Sequence, residues 1–314
     1  MEAFFYSNEP QPHPARGKQL LSTHPEVKEL IGPHPMSAVW VIGVVSAQTA
    51  FALFIAHQPW WVILIAAYTI GAIANHAMWI MIHEASHNLI FKKTNSNNVI
   101  GIIANLVMIF PSAISFKKYH LLHHRYQGEL TKDADLGWEF EGRWVGNSTW
   151  RKAVYLAFFF VAQGIFRPLR VKIAQPVCGW VIANIAAEVV YIGALYYFAG
   201  IAAPFYLLMS LIFAVGLHPV GARWIQEHYV FTPGQETYSY YGGYNKWGGF
   251  NIGYHNEHHD IPVVAWKNLP KVKALAPELY DHLYAHNSYT QLLWQYLTRK
   301  DVTPFNRIIR GNLS

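Results

Sequence analysis

The sequence predicts an all-α membrane protein: four transmembrane helices in two hairpins, with a cytosolic helical cap that carries three histidine clusters. Three observations predict it. Four apolar stretches approach the roughly 20 residues that a bilayer-spanning helix needs. Only 13% of the 314 residues are charged and 53% are hydrophobic, whereas soluble domains average roughly 25% charged. All the Lys and Arg residues lie outside those four stretches. The modest mean hydropathy of +0.13 adds that the polar parts are large.

The elements follow in order. Residues 1–36 contain six prolines and no apolar leader-like run, so they read as a cytosolic, uncleaved N-terminal segment. Residues 37–56 carry no charge and connect through His57, Gln58 and Pro59 to a second span at 60–82. A third span at 178–199 is interrupted only by Glu188, and a turn at Gly200 leads to a fourth at 203–222. The shorter runs at 99–114 and 153–166 contain Pro111 or Gly164 and read as interfacial or re-entrant helices. The membrane domain is thus 37–314, with its cap formed by 83–177 and 223–314.

Charge sets the orientation. Residues 1–36 carry three Lys/Arg, residues 83–177 twelve, and residues 222–314 nine, while the short hairpin connections carry none. By the positive-inside rule both termini and the long middle segment are cytosolic. The sequon Asn147-Ser148-Thr149 would then lie where it is not used. The net charge of +6 fits this topology and not nucleic-acid binding, because no recognition motif gathers the basic residues. A lone cysteine, Cys178, excludes a disulfide framework and a cysteine-based metal cluster.

Eight of the seventeen histidines fall into three clusters: His83 with His87, then His120, His123 and His124, then His255, His258 and His259. Spacings of three and four residues place cluster members on one helical face, which lets a helix present several imidazoles to a common point. Even numbers of spans separate the clusters, so all three emerge on the same side of the membrane. Eight imidazoles oversupply a single zinc ion, which usually takes four ligands. The number suits two metal ions with open positions, and imidazole suits iron. Glu84, Glu227, Glu257 and Asp260 are either acceptors that orient the rings or surface charges. His13, His24, His34, His57, His282 and His286 stand alone and read as structural or surface residues.

The histidines admit rival readings. His83-Glu84-Ala85-Ser86-His87 spells the H-E-x-x-H zinc-protease signature, but that reading leaves six clustered histidines without a role and lacks an intramembrane third ligand. A metal transporter needs polar groups at mid-membrane depth, and only Glu188 lies inside a span. Haem needs two axial histidines.

The chain resembles the sphingolipid delta-4 desaturases of the membrane fatty-acid desaturase superfamily, nearly end to end. The likeness rests on His24-Pro25-Glu26-Val27-Lys28, the segment from Asn75-His76 to His87-Asn88, and Ser115-Phe116-Lys117-Lys118-Tyr119-His120 with His123-His124-Arg125-Tyr126. It continues through Glu227-His228-Tyr229, Glu236-Thr237-Tyr238-Ser239-Tyr240-Tyr241-Gly242, and Asn251-Ile252-Gly253-Tyr254 leading into His255-Asn256-Glu257-His258-His259-Asp260. The resemblance implies a ninth ligand, His228, with His218 as a further candidate near the site. Trp224 stands where a related pattern has an asparagine, and His76 reads as structural. The resemblance also implies two iron ions, O2 as co-substrate, and electrons from cytochrome b5 and its NADH-dependent reductase, or a bacterial equivalent. The implied reaction introduces a trans C4–C5 double bond into dihydroceramide; C4-hydroxylation of that lipid and desaturation of another acyl chain are the alternatives. The implied compartment is the endoplasmic reticulum in a eukaryote or the inner membrane in a bacterium.

Overall fold

A computed structural model describes residues 3–173 and 175–311. The remaining positions of the N-terminal and cap segments, 1–2, 174 and 312–314, lie outside the described residues. Helix α1 (His13–Thr23) begins at a proline and leads to α2 (Ser37–Ile55). Pro59 breaks the chain before α3 (Trp60–Ser86), a continuous 27-residue rod. At 1.5 Å per residue, α3 is about 40 Å long, so it outruns the roughly 30 Å hydrocarbon layer. The second predicted span therefore extends past residue 82, and its end carries His83. The rod widens to π-helical geometry at Ala67–Gly71. There Gly71 lies so close to Ser210 that a Cβ would collide with its hydroxyl.

The run predicted at 99–114 is a sharp corner. Helices α4 (Thr94–Asn105) and α5 (Ala113–Tyr126) are turned by 111°. The Asn105 side chain holds the corner, its Oδ1 accepting from the backbone N–H groups of Ser112 (2.8 Å) and Ala113 (2.9 Å). The run at 153–166 likewise breaks, between Thr149–Ala157 and Phe159–Arg170, at 60°.

Helices α6 (Gly179–Ala199) and α7 (Ala202–Val215) form the second hairpin around Gly200, whose φ of 62° suits glycine. The fourth predicted span is shorter than the sequence indicated. Helix α7 has 14 residues, about 21 Å, and ends at Gly216, with Pro219 unable to continue the ladder. The chain resumes at 42° as Pro219–His228, whose last part is α8 (Arg223–His228). Among the described residues, three helices are thus long and apolar enough to span a membrane, or up to six if each bent pair is one span. Outward-facing Trp40, Phe54, Trp60, Val189, Val190, Tyr197 and Phe198 are exposed, whereas Asn184 and Glu188 of α6 turn inward. Polar groups avoid the lipid-facing side for the usual solvation reason.

The third histidine cluster forms the short α9 (His255–Asp260). Two small parallel ladders depart from the all-α expectation. Phe5–Tyr6 pairs with Ile308–Ile309, and Ser239–Tyr240 with Ala285–His286. The first joins the two ends of the described chain.

Candidate metal centre

The nine predicted histidines converge, but on two points. His83, His87, His120, His124 and His258 form one group; His123, His228 and His259 form the other, each with one nitrogen from every ring within 4.8 Å of the others. His255 joins the second group, its Nε2 3.1 Å from that of His228. The expectation that each cluster presents its members to a single point is therefore corrected. Successive helical residues differ by about 100° in direction, so positions i and i+4 nearly coincide while i+3 lies to the other side. On α5, His120 and His124 face the first group and His123 the second; on α9, His255 and His259 face the second and His258 the first. Each H-x-x-H-H motif spans both points.

The ring nitrogens meet at close range. His87 Nε2 lies 2.9 Å from His120 Nε2, which lies 3.1 Å from His124 Nε2, in turn 3.3 Å from His258 Nε2. In the second group His123 and His228 approach at 3.0 Å. Burial pushes His87 down to about 3 and holds His228, His258 and His259 well below the ordinary value. Burial also pulls on His123, but the Asp133 carboxylate outweighs it and raises that ring. Where the facing Nε2 atoms carry no proton their lone pairs meet, which costs energy unless a cation takes them. Two nitrogens at right angles on a metal at 2.0–2.1 Å would be about 3.0 Å apart. Among the described residues, both nitrogens of His83 and His259 are buried without a hydrogen-bond partner. The donor set therefore fits metal ions.

None of the predicted outer residues hydrogen-bonds a ring nitrogen of these nine among the described residues. Glu84 accepts the Trp266 backbone N–H at 3.0 Å and stays 3.7 Å from His83 Nδ1. Glu227 pairs with Arg223 and stays 3.8 Å from His255 Nδ1. Glu257 accepts from Ser239 (2.8 Å) and Tyr241 (2.6 Å). Asp260 holds His13 at 2.7 Å instead. His218 lies elsewhere, with Nδ1 accepting from Val220 N–H and its ring edge-on to Tyr68. The groups that do orient rings went unrecognised in the sequence. Asp133 accepts from His123 Nδ1 (2.9 Å), and the Glu236 carbonyl and Thr237 hydroxyl face His228 Nδ1, both at 3.3 Å. Asp133-Ala134-Asp135, just after the second cluster, was the available signal.

Comparison with known proteins decides the family. The fatty acid desaturase family model matches residues 59–290, and the sphingolipid Delta4-desaturase model matches residues 2–36. The chain belongs to the fatty acid desaturases, in their sphingolipid delta(4)-desaturase branch. It is 40% identical to a sphingolipid delta(4)-desaturase-like protein of Oryza sativa subsp. japonica, over 98% of this chain and 92% of the relative. It is also 40% identical to the sphingolipid delta(4)-desaturase of Drosophila melanogaster (96% and 93% covered) and 37% identical to that of Homo sapiens (96% and 92% covered). The chain is therefore an oxidoreductase, of a desaturase family that is typically metal-dependent.

An apolar cavity of about 450 Å³ runs from the desaturase's helices toward the histidines, lined by Phe110, Phe160, Val181, Leu211 and Val215. Phe116, Tyr119, Ala134, Gln163 and Trp224 line both this cavity and a smaller chamber of about 50 Å³, which His83, His120, His123 and His255 also line. The Trp224 indole packs near Trp79 and Phe159 where the two spaces meet.

Proposed function

We propose that the desaturase introduces a trans C4–C5 double bond into the sphingoid base of dihydroceramide, giving ceramide, with two iron ions, O2 and two electrons from an external donor. The single observation that carries this reading is the meeting of two imidazole groups at the inner end of an apolar cavity, in a chain whose relatives are named for the delta-4 reaction. His83, His87, His120, His124 and His258 would hold one ion, and His123, His228, His255 and His259 the other. Iron would supply the oxygen activation that an unactivated C–H bond requires, since such a bond has no acidity for a side chain to exploit.

The chain's own residues do the rest. The cavity fixes which carbons lie beside the histidines, so binding geometry sets regiochemistry. Phe116, Tyr119 and Trp224 line the junction and exclude water from the reacting carbons. Asp133 keeps the proton of His123 on Nδ1 and the Glu236 carbonyl does the same for His228, which leaves each Nε2 free to bind.

Four spans would place the histidine groups on the cytosolic side, with 1–36, 83–177 and 223–314 forming the cytosolic segment and cap. The basic residues of that cap would dock cytochrome b5, which its NADH-dependent reductase recharges, or an equivalent bacterial donor. In a eukaryote the location would be the endoplasmic reticulum, in a bacterium the inner membrane.

The test is lipid mass spectrometry of a host that lacks the activity and expresses this chain or its His258→Ala variant. Ceramide formed by the wild type alone is the expected result. Recovery of only 4-hydroxylated product would replace desaturation with hydroxylation, and a single tight zinc ion per chain would sink the di-iron reading.

A further inference from the structure

The N-terminal segment reaches the metal centre from more than a hundred residues away. Gln11 Nε2 donates to the carbonyls of His124 (3.1 Å) and Arg125 (3.2 Å). These are among the last carbonyls of α5, which have no partner within the helix. His13 is 2% exposed and lies between two partners. Its Nδ1–H donates to Asp260 Oδ1 (2.7 Å), which leaves Nε2 to accept the Thr237 hydroxyl (2.8 Å). With its proton so committed, the Thr237 oxygen presents a lone pair to His228 Nδ1–H at 3.3 Å. Arg16 completes the contact, donating to Asp260 Oδ2 (2.6 Å) and Asn256 Oδ1 (2.7 Å) on α9. The His13 ring packs 4.8 Å from that of His259, which is stacked 4.0 Å from His124. At Gly17 the helix touches the Asp260 carbonyl so closely that a Cβ would collide with it.

We propose that residues 11–17 form a strap that positions the second histidine group, with His13 and Thr237 as positioning residues for the ion it holds; the inference rests on the di-iron reading above. The strap lies within the segment matched by the sphingolipid Delta4-desaturase model, residues 2–36. It ties the end of α5 to α9, so the imidazoles that these helices send to the second group stay in register. It also fixes the direction of every hydrogen bond from Asp260 to His228, so that His228 Nε2 keeps its lone pair. Among the described residues the first group receives no such chain, apart from the cap that Gln11 places on the end of α5.

The test uses the full chain in lipid nanodiscs, loaded with isotopically enriched iron and challenged with a chelator. Iron per chain, Mössbauer spectra and melting temperature are read for wild type, His13→Ala, Thr237→Val and Thr237→Ser. The wild type should hold two irons with two quadrupole doublets. His13→Ala and Thr237→Val should release one iron roughly 10- to 100-fold faster, the range for lost outer partners, and shift one doublet while the other stays. Thr237→Ser, which restores the hydroxyl, should return both to wild type. Should His13→Ala fail to fold, the Val and Ser variants at 237 decide alone. Retention of two irons with unchanged spectra would overturn the strap even if melting temperatures fell, and so would equal shifts of both doublets. A wild type that binds fewer than two irons would instead sink the di-iron reading, and the strap with it.

Discussion

The five-histidine group is gathered from rings whose outer nitrogens meet no carboxylate within hydrogen-bond distance among the described residues, whereas the second group is backed by Asp133, the Glu236 carbonyl and Thr237. Exposure differs too: His87, His120 and His124 are half-buried, but His123, His228 and His259 are all buried. Helical spacing and packing hold the first group in place. Hydrogen bonds from residues eight to ten positions away in the chain orient rings of the second. The comparison teaches that one short motif can feed two sites, and that the more enclosed site depends on more of the fold.

The sharpest way to break this comparison is to remove neighbouring histidines of α9. His258→Ala should empty the first group and His259→Ala the second, each leaving one iron per chain by metal analysis. Each should also cut alkene formation more than about 100-fold by lipid mass spectrometry, beyond the range for lost outer partners. If both variants lost the same iron, judged by Mössbauer spectra, the division into two groups would be wrong.

The next effect concerns the outer partners. Asp133→Asn should lower activity or iron affinity by roughly 10- to 100-fold. Glu84→Gln should leave iron content unchanged, because Glu84 accepts a backbone N–H and does not hydrogen-bond a ring. Equal iron loss in the two variants, measured by chelator titration, would erase the contrast between the groups.

Proton linkage gives a third, milder effect. Desolvation lowers the rings of His87, His228, His258 and His259 below their unfolded value. The unfolded chain therefore binds protons that the folded chain refuses, and metal-free stability should fall as pH drops below about 6.5. For His87 the loss continues toward about 3. His123 has the opposite sign: its raised pKa contributes stability at low pH that is lost as pH rises. Asp133→Asn should therefore steepen the acid loss, and melting temperature against pH measures both.

The smallest effect lies in the cavity, away from either group. Leu211→Trp should shift the products toward shorter chains without changing iron content, at a packing cost of about 1–3 kcal/mol. Chain-length profiles by mass spectrometry check it; an unchanged profile would mean that the lipid does not use this cavity.

The histidines of the three clusters were legible because ligand spacing is local: residues four apart share a helical face whatever the rest of the chain does. Asp133 and Thr237 were not, since an acid in a turn and a lone threonine look like any solvated residue until the fold brings them to a ring. The same holds for His13, which the sequence gives only as an isolated histidine, and for His218, whose nearness to the cluster in sequence order does not survive the break at Pro219.

By itself, then, the sequence determined which stretches are apolar enough to enter a membrane and which imidazoles are available, because both depend on composition and on spacing within a helical turn. The fold alone settled which segments bring their imidazoles together and which carboxylate reaches which ring. The first depends on contacts between segments far apart in the chain, such as His124 with His258; the second turns on how the chain from His123 to Asp133, ten positions on, closes back on the ring.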